Sequence, residues 1–391
     1  MAKIISVEEI DGGVAYDLFV PSTNNFFLAN GSLVSNSGKT FFARGLTDRA
    51  YLAGHQPFHP SDVKNEMASS RKPVQDKFAK ELLPGEQRCG IPVVGLRPTV
   101  FADIDDKTCP DGNVWCPTDP SLASRSDFQL LVNFKRLSEP MKIAADLLYD
   151  AMRETFQKSE SSELFSFTKL DELIDGLPDL DVRQKRGFKL RLKPLYTSNI
   201  FVEKFRKVSV KDLLLRRCIP AVNMARYDEF GRDNFAYPEV IFTINLRTAL
   251  NLRRQKLIPR LMVFVDEGPR FIPADDSKNP PSKELLLESV DTDTAYGVDY
   301  LICTQELDLL PQRFIKQTRY FFLPYSCSPG SLSRVLWAAG LVRYTQSAPN
   351  SALRLMRKMK KFDWLAVDRV KRTLTIIRPL APRSFHKESQ L

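Results

Sequence analysis

Asn30-Gly31-Ser32-Leu33-Val34-Ser35-Asn36-Ser37-Gly38-Lys39-Thr40 contains the second half of a phosphate-binding loop without the first half. The full pattern, GxxxxGK[ST], requires a glycine at position 33, where this chain has Leu33. Leu33, Val34, Ser35 and Asn36 do not supply the open backbone with which such a loop cradles phosphate. Helical spacing begins directly after the half-motif. Lys39 to Gly54 reads KTFFARGLTDRAYLAG, with Phe41, Leu46 and Tyr51 near one face and a glycine stop. The reading is therefore of a phosphate-loop helix whose preceding strand and first glycine are missing from the residues in front of it.

Those residues carry a different signal. Short apolar runs alternate with turn-forming Asp11-Gly12-Gly13, Pro21-Ser22-Thr23 and Asn30-Gly31, which predicts a few short strands with too little core to fold well alone. Tyr16-Asp17-Leu18, Asn25-Phe26-Phe27, Ala29-Asn30-Gly31 and Val34-Ser35-Asn36 followed by Ser37 resemble the C-terminal end of an intein, over residues 1–36. Met1 stands too close upstream to leave room for the N-terminal nucleophile, so the expectation is the C-terminal piece of a split intein acting with a complementary N-terminal fragment on a partner chain. The resemblance implies that Ser37 accepts the partner's extein chain and that Asn36 cyclises to release the intein, with Asp17 assisting the ester steps. Two positions depart from the usual pattern: Ser35 stands where the penultimate histidine is common, and Asn24 where a second histidine is usual. Ligation in front of Ser37 would restore a complete GxxxxGKT.

Composition sets the outer bounds. The chain has 391 residues, 43% hydrophobic and 27% charged, enough for one large core or two domains. No stretch approaches a membrane span and the N-terminus is not a secretion signal, so a cytoplasmic location is expected. Six dispersed cysteines without a CxxC pair indicate neither a disulfide framework nor a zinc site. The net charge of +10 is unevenly shared: residues 1–36 carry one lysine against four acids, or −3, leaving +13 on the rest. That surplus suits an anionic partner such as DNA, and equally a solvated basic surface.

Further along, Val240 to Leu246 reads as a buried strand followed by a basic helix. Leu261-Met262-Val263-Phe264-Val265-Asp266-Glu267 is an apolar strand ending in two acids, and Tyr300 to Gln305 is another buried strand ending in a polar pair. Arg319 to Leu323 predicts a further strand, and Trp364 to Val367 with Thr373 to Ile377 a closing hairpin. The order half-loop, DE strand, TQ strand resembles the HerA and FtsK group of RecA-like phosphate-loop ATPases. That resemblance implies ATP and Mg²⁺ as cofactors. Gly38, Lys39, Thr40 and Gln305 would then bind nucleotide, Thr40 and Asp266 would hold the metal, and Glu267 would activate water. It also implies DNA as substrate and a homo-oligomeric ring. Arg313, Lys316 and Arg319 are candidates for a group reaching a neighbouring subunit.

The expected architecture is α/β, a small all-β intein fragment followed by a RecA-like sheet with a helical insertion. Residues 1–36 form the intein fragment, 37–102 the half-loop and first ATPase elements, 103–235 the helical insertion, and 236–391 the core with the acidic strand and C-terminal hairpin. Two other readings stay open: an inactive intein remnant on a non-catalytic DNA-binding or oligomer-forming subunit, and a motor for protein export.

Overall fold

A computed structural model describes residues 25–27, 33–35, 39–62, 98–101, 125–132, 137–158, 167–177, 180–197, 210–224, 237–325, 327–343, 347–360 and 363–377. The strands are β1 (Asn25–Phe27), β2 (Leu33–Ser35), β3 (Gln56–Asp62), β4 (Pro98–Phe101), β5 (Ile219–Asn223), β6 (Leu261–Val265), β7 (Val298–Ile302), β8 (Tyr320–Pro324), β9 (Trp364–Asp368) and β10 (Thr373–Ile377). The helices are α1 (Lys39–Leu52), α2 (Arg125–Leu131), α3 (Glu139–Lys158), α4 (Phe167–Asp175), α5 (Val182–Thr197), α6 (Val210–Leu215), α7 (Tyr237–Arg254), α8 (Gly268–Phe271), α9 (Pro281–Thr292), α10 (Gln312–Gln317), α11 (Pro329–Ala338) and α12 (Asn350–Lys358).

Three sheets result. Five strands in the order β4-β5-β3-β6-β7 pair entirely in parallel, and β10-β9-β8 form an antiparallel sheet. β1 and β2 form a separate antiparallel pair in which Asn25 faces Ser35. The parallel sheet is buried by helices, as parallel sheets must be. α7 lies among them with Val240, Ile241, Phe242, Leu246, Ala249 and Leu250 buried, and Phe242 stacks on Phe271 at 4.3 Å between ring centres.

β3, near the middle of the sheet, is polar in sequence yet buried along its whole length. Its polar side chains are held by individual contacts, with Gln56 Oε1 left without a partner among the described residues. Gln56 Nε2 donates to the Cys218 carbonyl (2.6 Å), His59 pairs with Thr47 Oγ1 (3.1 Å) and stacks on Phe264, and Ser61 binds the backbone of Asp266. Pro60 has no N–H to give the ladder, and the pairing with both neighbours shifts across that residue.

Several sequence expectations need correction. Val240 to Leu246 is not a strand: it belongs to α7, one continuous helix from Tyr237 to Arg254. A seven-residue apolar run is ambiguous by period. Here the buried set continues through Ala249, Leu250 and Leu252, and Pro238 and Glu239 open the helix. The span 103–235 is not helical throughout, because β5 within it pairs with β3 and β4. The rest of its described residues, α2 to α6, pack Phe128, Leu148, Met152, Ile174, Phe188 and Leu192 together, and Asp127 ties this layer to Arg247 on α7. The apolar run Ile91 to Leu96 also predicts a short edge strand, which lies outside the described residues, whereas β4 begins at Pro98. β7 is half-buried rather than buried over Asp299 to Ile302. The hairpin β9-β10 forms as expected, but it closes on β8 and not on the five-stranded sheet.

Candidate functional site

The parallel strands carry the candidate chemistry to one edge. Register places Val265 beside Ser61 on β3 and beside Ile302 on β7, so Asp266 and Glu267, Ser61 and Asp62, and Thr304 and Gln305 emerge at neighbouring carboxyl ends. α1 comes to the same edge from the other direction. It ends at Leu52 and returns through a turn, in which the His55 N–H bonds to the Ala50 carbonyl, straight into β3 at Gln56. The helix therefore runs antiparallel to β3. Its 14 residues span about 21 Å, matching the roughly 23 Å of the seven-residue β3. Lys39 and Thr40, the first residues of α1, thus stand level with Asp62 and the acidic end of β6, and the positive end of the helix dipole faces that edge.

The acidic turn is tightly specified. The Asp266 N–H donates to Ser61 Oγ (3.1 Å), and Asp266 Oδ1 accepts from the Glu267 N–H (3.1 Å). Glu267 adopts a left-handed conformation (φ 51°, ψ 54°), uncommon for a non-glycine residue, and its side chain is exposed. Gly268 follows, its N–H donating to the Cys303 carbonyl (2.8 Å) and latching β6 to the end of β7. A Cβ on Gly268 would lie 2.3 Å from Ile302 Cγ2, so any larger residue would force the latch to shift. Below the turn, Arg270 binds Glu239 of α7 (2.9 Å).

On the neighbouring strand end, Thr304 Oγ1 donates to the Glu306 carbonyl (2.7 Å) and accepts from the Glu306 N–H (3.1 Å), a turn that leaves Gln305 exposed between them. β7 is anchored from behind. Tyr300 contacts Ser289, which donates to Asp293 (2.6 Å), and Asp293 takes a two-point ion pair from Arg254 (2.7 and 2.8 Å). Burial raises the Tyr300 phenol well above its ordinary value, while the hydrogen bond from Arg254 to Asp293 raises the guanidinium.

Asp266, Glu267 and Gln305 are therefore brought together at one edge, and the backbones of Lys39 and Thr40 reach its level. Ser35 closes β2, one residue before Asn36. Asp17, Asn36, Ser37 and Gly38 lie outside the described residues. Among the three basic candidates beyond Gln305, Arg313 is engaged by Asp291 and Arg319 lies over the Tyr320 ring (4.9 Å). Ser61 and Gly268 have no part in the sequence motifs, and Thr304 enters them only as the residue before Gln305. A glycine immediately after an Asp-Glu strand end was the one available signal, whereas Ser61 becomes recognisable only once β3 is placed beside β6.

Among the described residues, no cluster of three or more His, Cys, Asp or Glu could hold a metal, and no helix is long and apolar enough to cross a membrane. The donors fit Mg²⁺ as nucleotide sites hold it, by one or two protein oxygens with the remainder from phosphate and water. Asp266, half-exposed at the strand end, is such a donor.

No family model matches this sequence, and no curated protein matches it. Solved structures do match its fold. The plasmid coupling protein TrwB, in complex with the GTP analogue GDPNP, aligns over 90% of this chain and 85% of its own at 13% identity, with a TM-score of 0.51. VirB4 of Thermoanaerobacter pseudethanolicus aligns over 91% and 95% at 13% identity, with a TM-score of 0.50. The genome packaging NTPase B204 of Sulfolobus turreted icosahedral virus 2 covers 45% of this chain and 73% of its own at 16% identity and a TM-score of 0.30, an overlap too slight to add to the assignment. The chain shares with TrwB and VirB4 a mixed α/β fold built on a parallel sheet.

Proposed function

We propose that this chain is half of a DNA-translocating ATPase, and that residues 1–36 are the splicing fragment that joins it to the other half. The observation that carries this reading is the position of the half-loop. Lys39 and Thr40, which end the half-loop in sequence, open the helix that runs toward the Asp266–Glu267 edge, and Asn25–Phe27 with Leu33–Ser35 in front of it form an antiparallel strand pair ending one residue before Asn36. A strand pair of this kind is what the intein resemblance implies at that position.

The splicing chemistry balances with the groups at hand. Once the partner's acyl group has passed to Ser37 Oγ as an ester, the Asn36 side-chain nitrogen attacks its own backbone carbonyl. The Asn36–Ser37 peptide bond breaks, leaving a terminal succinimide and a free Ser37 amine. That amine attacks the ester carbonyl, forms the new peptide bond and restores the hydroxyl. Asp17 and Ser35 are assigned to assist these steps.

In the joined protein, Gly38, Lys39 and Thr40 complete the phosphate cradle, and Thr40 and Asp266 are assigned to hold Mg²⁺. The metal supplies charge neutralisation on the phosphates. Glu267 is assigned to orient water and take its proton, and Gln305 to sense the terminal phosphate. DNA as the substrate is supported by the +13 of residues 37–391 and by Arg354, Arg357 and Lys358, exposed on α12. Protein export is the alternative cargo, and salt-dependent binding to random duplex DNA separates the two.

ATP turnover tests the reading. This chain alone should hydrolyse ATP at background, and the ligated product should turn over at a rate lost on Glu267→Gln. Substantial turnover by the unligated chain would overturn it.

A further inference from the structure

Among the described residues the five-stranded sheet has its edges at β4 and β7, and the three-stranded sheet at β10 and β8, and no strand pairs with the outer side of β7 or β8. Apart from Asp299, which pairs with Arg260, β7 is apolar yet half-buried over Asp299 to Ile302, whereas β6 next to it is almost entirely buried. A parallel strand of this composition belongs inside a sheet, and an unpaired edge is one that proteins normally cover.

One helix packs on both sheets. Near its start α1 places Phe42 against Trp364 of β9 (4.4 Å) and Phe322 of β8 (5.0 Å), and further on its Thr47 binds His59 of β3. A phosphate loop joins a strand directly to the helix that follows it, and α1 is that helix. The chain's own candidate for the strand is already used, since Leu33–Ser35 pairs with Asn25–Phe27. β7 connects to β8 through α10, the kind of crossover that returns a chain in parallel.

We infer that β7 and β8 are the two walls of a slot for one extended strand, and that its occupant is the partner segment that becomes joined to Ser37. The partner docks by strand addition, parallel to β7, and unites β4-β5-β3-β6-β7 with β8-β9-β10 as one sheet. The segment is apolar on both faces, about as long as the five-residue strands that flank it, and its carboxyl end leads into the glycine-bearing half of the loop. The source of the occupant rests on the splicing reading; the slot itself rests on the two edges.

Backbone alternation says which groups must change. The Cys303 N–H donates to Val265 and the Gly297 carbonyl accepts from Leu261, so Asp299 and Leu301 face β6 while Tyr300 and Ile302 present their amides to the slot. On β8 the Tyr325 N–H donates to Asp363 and the Arg319 carbonyl accepts from Arg369. Phe321 and Leu323 therefore face β9, and the amides of Tyr320 and Phe322 face the slot. Pro324, also on the slot side, has no N–H, a residue tolerated at such an edge.

The test is residue-resolved hydrogen exchange on the full chain with a synthetic peptide, Lys-Lys-Val-Ile-Val-Ile-Val-Gly-Pro-Thr-Gly, which carries no splicing fragment and so cannot ligate. The amides of Tyr300, Ile302, Tyr320 and Phe322 should slow together by about tenfold at peptide concentrations ten times the dissociation constant. A peptide with proline at alternate strand positions should have no effect. Unchanged exchange at those four amides, or protection only elsewhere, overturns the slot. Protection that grows with chain concentration in the absence of peptide overturns it in favour of edge pairing between two copies. A chain that protects these amides yet never ligates to a partner leaves the slot standing and sinks the splicing reading; ligation without protection does the reverse.

Discussion

Gly268→Ala should unseat the acidic turn, and the size of the effect follows from its neighbours. The added Cβ would stand 2.3 Å from Ile302 Cγ2, 3.2 Å from the Cys303 carbonyl oxygen and 3.4 Å from Leu310 Cδ2. Ordinary carbon contacts lie at about 3.5–4.0 Å, so more than an ångström must be found against a β-branched side chain that is stiff at χ1 and a backbone group that is hydrogen-bonded in place. Overpacking of this kind costs about 1–3 kcal/mol. Gly268 is not in a positive-φ conformation, so the alanine also removes unfolded-state entropy, offsetting about 0.4–1 kcal/mol. The net destabilisation is about 1–2 kcal/mol, read from urea unfolding. The cause is isolated by a double-mutant cycle. Ile302→Ala removes the clashing methyl, so the pair should show a favourable coupling of about 1–3 kcal/mol relative to the sum of the single changes. Additivity within about 0.5 kcal/mol would refute the claim that Gly268 is required by its approach to Ile302. In the ligated protein Gly268→Ala should also lower ATP turnover by about a hundredfold, because it displaces Glu267.

Asp293→Ala should cost about 2–4 kcal/mol in a urea melt, because it strands the Arg254 guanidinium and the Ser289 hydroxyl behind β7; a loss below about 0.5 kcal/mol would show the network to be dispensable. Alkaline pH should weaken the fold through two buried acids. Burial pushes the Cys327 thiol up from 9.0 to about 11 and raises the Tyr300 phenol further, so both favour the protonated native state. Their stabilisation is complete below pH 9 and is lost as pH rises toward 11 and beyond, so the urea midpoint should fall across that window, less steeply in Cys327→Ala. Glu267→Gln should leave ligation intact while lowering ATP turnover of the product by about 10²- to 10⁴-fold; equal loss of both would place Glu267 in folding rather than in the reaction.

The legibility of this chain follows its local chemistry. β6 with its Asp-Glu end, α1 after the half-loop and the β9-β10 hairpin were readable because apolar period and punctuation agreed. α7 was misread at Val240 to Leu246 because a helix buried on most of its surface carries a continuous apolar run, which a strand also carries. β5 was hidden for the opposite reason: Ile219 to Asn223 is short and contains a proline, and only its pairing with β3 and β4 makes it part of the sheet. At the site, Asp266, Glu267 and Gln305 were found by motif. Ser61 acts through a hydrogen bond to Asp266 set by tertiary register, for which a sequence has no local signature, whereas Thr304 closes a local turn onto Glu306. That a strand is missing in front of the half-loop was legible, but that β7 and β8 are the edges on either side of it emerges only from the sheet topology.

The most direct test of splicing is tandem mass spectrometry of the tryptic peptide that ends at Lys39, after this chain is mixed with a partner ending in a strand, the first half of the loop and an N-terminal splicing fragment. The expected peptide joins partner residues to Ser37-Gly38-Lys39, appears together with a released fragment of residues 1–36 ending in a succinimide or Asn36, and is absent with Asn36→Ala. Asn36 still bonded to Ser37 in every Lys39 peptide, with a partner that binds the chain, would contradict the proposal that this protein is completed by splicing.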